Sequence, residues 1–126
     1  MEKKLYHPEK DEFYWNGIKA MREKFIQNRY DFKQFVIDHQ RGCPAGLSRM
    51  SDTEQEHIAF GLGALVHSYL NPDHKHGSFI THLRMGKLYS AMKCADNVNM
   101  QFFYLYVDFI YSEIPIHVLP PILSMI

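Results

Sequence analysis

Cysteine is scarce in this chain: Cys43 and Cys94 are the whole supply in 126 residues. Two thiols cannot build a disulfide-stapled scaffold or a cysteine-rich zinc module. With the charged opening MEKKLYHPEK, which reads as no secretory leader, they set the expectation of a reducing, cytoplasmic location. Long apolar runs are missing too. The longest, residues 98–114, is cut by Asp108 and Glu113, so nothing approaches the ~20 residues that span a bilayer and no membrane partner is expected. Neither sign of charge prevails, with 14 Lys and Arg against 14 Asp and Glu, which argues against a bulk pull toward nucleic acid or anionic lipid. The balance is uneven along the chain, residues 1–49 carrying +3 and residues 50–126 carrying −3. Internal repeats and low-complexity segments are absent. So are the Gly-x-Ser-x-Gly elbow, the phosphate loop and the dinucleotide fingerprint. No cofactor is expected, and an enzyme is not the favoured class.

What the chain has is apolar and aromatic side chains. Hydrophobic residues make up 46% and aromatics 14%, including nine Phe and eight Tyr. That composition suits one folded domain over residues 1–126 with a single core. The aromatic surplus exceeds what a small core easily absorbs, so part of it is expected at an interface or groove.

The periodicity is helical throughout, and the expected class is all-α: a compact bundle of about four main helices with an extended apolar C-terminal tail. Tyr14, Ile18, Met21, Phe25, Phe32, Phe35, Val36 and His39 keep one phase, so residues 11–40 read either as one helix or as two that break near Asn28–Asp31, and the preserved phase favours the single helix. Gly42-Cys43-Pro44 then ends it. Ser51 and Glu54 have capping-box spacing and open a second long helix, with a stripe of Ile58, Leu62, Leu65, Val66 and Tyr69. Ala59, Gly61 and Gly63 give it a low-relief surface where another element is expected to approach closely. Asn71-Pro72 stops it, and a third helix is expected over 78–95. The most apolar stretch, VNMQFFYLYVDFIYSEI at 98–114, is the expected central helix. Three prolines between 115 and 121 exclude a regular helix after it.

Three constellations invite a functional reading. Lys19, Arg22, Arg29 and Lys33 fall within an arc of about 80° on a continuous helix, a ridge that suits an acidic protein surface or phosphates. Phe102, Tyr106, Phe109, Val118, Leu119 and Ile122 are candidates for an oligomer interface, a homodimer being the commonest closed assembly. Five of the eight histidines lie between residues 57 and 82. Among them Glu54, His57, His74 and His76 form a candidate metal set, Glu54-x-x-His57 matching half of a di-iron motif and His74 and His76 flanking Lys75. His57 and His67, ten residues apart, do not pair on a helix. The expected function is a small non-catalytic binder of another protein (a regulator, adaptor or inhibitor) that self-associates. The alternatives are a nucleic-acid-associated protein using the basic ridge and a helical metal-binding protein.

Overall fold

The structure, a computed structural model, describes residues 12–40 and 50–119. Within them every regular element is helical: α1 (Glu12–Met21), α2 (Phe32–His39), α3 (Asp52–Leu70), α4 (Ser78–Arg84), α5 (Leu88–Cys94), α6 (Asn97–Gln101) and α7 (Phe103–Glu113). The expected all-α bundle is what forms, but its helices are shorter and more numerous than the periodicity implies.

The first helix does not run through to residue 40. After α1 the chain widens into a π-helical segment, Arg22–Gln27, and then turns at Asn28–Arg29, where Arg29 has φ 52°. Asp31 restarts the chain as α2, its carboxylate accepting from the Gln34 N–H at 3.0 Å. The apolar phase survives the break because both halves bury their stripe in one core: Ile18, Met21 and Phe25 before it, Phe35 and Val36 after it. The expected third helix also divides. Gly86 adopts φ 79° between α4 and α5, a backbone that side chains rarely tolerate. The stretch 98–114 is broken only at Phe102, which separates α6 from α7.

α3 is the long element of the bundle. Its capping box forms as spaced: Glu54 N–H donates to Ser51 Oγ at 3.1 Å, and Ser51 N–H donates to Glu54 Oε1 at 2.9 Å. Ile58, Leu62 and Leu65 are fully buried along it. Of its glycines, Gly61 sits where a neighbour presses close. A methyl group at Gly61 would overlap the Tyr106 hydroxyl of α7, whereas one at Gly63 would meet the Phe32 ring of α2 at an ordinary 3.8 Å. An aromatic cluster fills the space between α2 and α7: Phe109 contacts Phe25, Phe32 and Phe35, with ring centroids 5.1–5.9 Å apart. Lys24 ties the π segment to the end of α7, its ammonium 2.8 Å from the Glu113 carboxylate.

Beyond α7, Pro115 leads into a short 3₁₀ turn, Ile116–Val118, packed against α1. Val118 and Leu119 are buried, at 5% and 4% exposure. The apolar tail thus begins by covering the chain's own core. The expected Gly42-Cys43-Pro44 stop and the tail residues 120–126, Ile122 among them, lie outside the described residues.

Candidate metal centre

Local sequence folds three histidines into one place. α3 ends at Leu70 because Asn71 leaves helical geometry and Pro72 cannot continue it. Asn71 satisfies the helix end instead: its backbone N–H and its side-chain amide both donate to the His67 carbonyl, at 2.8 and 3.1 Å. The His74 N–H then donates to the Asn71 carbonyl at 3.0 Å, closing a four-residue turn with Pro72 at its second position. That turn throws the chain back over the last turn of α3. His74 and His76 arrive beside His67, and Gly77 starts α4 directly afterwards.

The three imidazoles form a closed triangle, with ring centroids 5.1, 5.1 and 4.8 Å apart. One ligating nitrogen from each lies within 4.8 Å of the other two. The tightest approach is His67 Nδ1 to His76 Nε2 at 2.9 Å. The other nitrogen of His76, Nδ1, is 2.9 Å from the His74 carbonyl oxygen. A carbonyl only accepts, so Nδ1 carries the proton and Nε2 presents its lone pair to His67. A backbone carbonyl fixing one nitrogen is the arrangement that orients metal-ligating histidines; the other, Nε2, accepts from His67 Nδ1–H, a proton that has to leave Nδ1 before both nitrogens bind one ion. Desolvation holds His76 below the usual histidine range; its bond to the His74 carbonyl works the other way, and the charges of His74, His67 and Arg84 add to the fall. The neutral, ligating form is favoured. Tetrahedral zinc with Zn–N bonds of 2.0–2.1 Å places neighbouring ligand nitrogens about 3.4 Å apart. The 2.9 Å pair must open slightly, and His74 must close in. His67 and His74 are exposed and His76 is partly buried, which leaves the exposed rings room to rotate between rotamers.

His67 also lines an apolar groove of about 180 Å³, walled by Phe25, Ile26, Phe32, Val66 and Leu70, with Asn71 beside it. Gly63 is part of its lining and contributes no side chain to it.

The four residues that the sequence suggested as a metal set do not come together. Glu54 is engaged in the α3 cap, and His57 Nε2 donates to Asp96 Oδ2 at 3.0 Å, Asp96 also capping α6. His57 precedes His67 by ten residues of one helix, about 15 Å along its axis. His74 and His76 keep their place in the set, and His67 is the member that sequence reasoning passed over. The signal for it was the Asn71-Pro72 stop, which folds the later pair back onto the helix they follow.

The other candidate residues fare differently. The helix expected to carry Lys19, Arg22, Arg29 and Lys33 breaks at 28–31, so the arc expected of a continuous helix does not hold for them. Lys33 reaches instead to Asp52 and Glu56 of α3, at 2.8 and 3.4 Å. Phe102, Tyr106, Phe109, Val118 and Leu119 are between 0% and 5% exposed. Their burial in the protomer's own core leaves them no surface to offer a second subunit. Exposed apolar side chains lie elsewhere, with Phe60 at 81% and Tyr89 at 74%. No helix among the described residues is long and apolar enough to cross a membrane. Comparison with known protein families, curated proteins and solved structures finds nothing that matches the chain.

Proposed function

We propose that this is a small helical metal-binding protein whose centre is His67, His74 and His76. One observation carries the reading: three imidazoles converge on one point, with His76 already held in its ligating tautomer by a backbone carbonyl. Imidazole donors suit zinc, copper, nickel and iron rather than calcium or magnesium. Three protein ligands leave a fourth position for water or a small molecule, the pattern of open rather than structural sites. Equilibrium dialysis of the purified chain against Zn²⁺, followed by elemental analysis, tests it. One ion per chain is expected, retained by His57→Gln and lost by His76→Gln. Equal retention by both variants would overturn the assignment.

A second reading, binding of another protein, draws on Phe60. This ring is 81% exposed and stands two helical turns before His67 on the same stripe of α3. Exposed aromatics of this kind anchor interfaces. Phe60→Ser is expected to abolish capture of a partner while leaving metal content intact.

A further inference from the structure

The groove beside His67 and the histidine triangle share a wall, and together they specify a ligand more narrowly than either alone. We infer that the loaded centre binds a small aromatic carboxylate, its carboxylate on the open metal position and its single ring in the groove lined by Phe25, Phe32 and Val66. This deepens the metal reading and rests on it.

Size sets the first limit. A cavity of about 180 Å³ is close to the ~150 Å³ void known to admit one benzene ring, and too small for a long chain or a fused-ring cofactor. The walls set the second. Phe25 and Phe32 are stacked on one another, 7° from parallel with centroids 5.8 Å apart, so they present one aromatic wall, against which a ligand ring packs edge-on or offset. Ile26, 59% exposed, forms the mouth. Charge sets the third. The groove lining contains no Lys, Arg, Asp or Glu. An acid entering it is neutralised only at the His67 end, where the metal ion would stand. His67 links the two parts: it offers a ring nitrogen to the triangle and also lines the groove.

The test uses the full chain loaded with Co²⁺, whose visible absorption reports changes in its ligands, titrated with phenylacetate and separately with acetate. Acetate carries the same head without the ring. Phenylacetate is expected to perturb the spectrum at a concentration at least about tenfold lower than acetate, reflecting burial of the ring. Gly63→Leu, which fills the groove, is expected to bring the two acids level while Co²⁺ affinity stays unchanged. Ile26→Glu changes an exposed side chain, which spares the fold, and is expected to weaken phenylacetate more than acetate. Wild-type protein that loads Co²⁺ but responds equally to both acids overturns this inference and leaves the metal centre standing. A chain that takes up no Co²⁺ overturns both.

Discussion

Gly61 of α3 and Tyr106 of α7 occupy one space: the phenol lies where any Cβ at position 61 would have to be. The hydroxyl is turned to donate to Asn99 Oδ1 at 2.7 Å, so the ring cannot swing away without breaking that bond. A helix-interior glycine ordinarily costs roughly 1 kcal/mol against alanine. Here it is what lets the most apolar helix sit against the longest one.

Gly61→Ala is therefore expected to destabilise the protein by about 1–3 kcal/mol, since overpacking outweighs the gain in helix propensity. Urea unfolding followed by circular dichroism measures it. Placed in a Tyr106→Ala background, the same substitution should become neutral or stabilising. A cost that persists there would mean the clash is not with Tyr106.

Tyr69 presents the opposite case. Its hydroxyl is buried and has no hydrogen-bond partner among the described residues. Leaving such a group unpaired costs stability, and removing it recovers that cost. Tyr69→Phe should raise stability by up to about 1 kcal/mol in thermal unfolding. A lower melting temperature would show that the hydroxyl has a partner.

Alkaline stability follows from three phenols. Burial raises Tyr69 and Tyr106 well above the usual tyrosine range, and Tyr30 is raised by burial and by the Glu113 carboxylate beside it. The fold holds all three protonated, whereas the unfolded chain loses those protons from about pH 10. Their contribution is thus fully present below pH 10 and falls as pH rises above it. Absorbance at 295 nm should show these three ionising only together with the loss of helical circular dichroism. Their titration in a still-folded protein would sink the prediction.

Metal should stabilise by mass action. Zn²⁺ at a hundred times its dissociation constant adds about 2.7 kcal/mol if the unfolded chain does not bind it. The shift in melting temperature should vanish in His76→Gln. Slowed hydrogen exchange should concentrate in the last turn of α3 and in the loop 71–77. Uniform slowing, or none there, would place the ion elsewhere.

Much of the architecture was legible in the sequence, and the reason is local. The Ser51–Glu54 cap, the Asn71-Pro72 stop and the α3 stripe each follow from a few neighbouring residues whose chemistry admits one outcome. The break near 28–31 could be located but not decided, and the one at Gly86 was not legible, because apolar phase records which residues face the core, not whether the backbone between them is continuous. The core role of Phe102, Tyr106 and Phe109 was hidden for a related reason: a helix apolar on all sides looks the same whether its own chain or a partner covers it. The histidines needed tertiary information. Glu54-x-x-His57 has the right spacing on a helix, yet both side chains already have partners, whereas His67 joins His74 and His76 only across a turn.

The π segment, Arg22–Gln27, has a bearing on how this chain tolerates changes of length. A π turn carries one residue more than the α turn it replaces. The stretch behaves as an ordinary helix with a spare residue folded into its wall. Deleting one exposed position there, such as Glu23, removes the spare and lets the helix close to α geometry. Inserting one at the same place has no such slack to use and rotates Phe25 about 100° out of the core. Length variants of this first segment should therefore survive shortening better than lengthening.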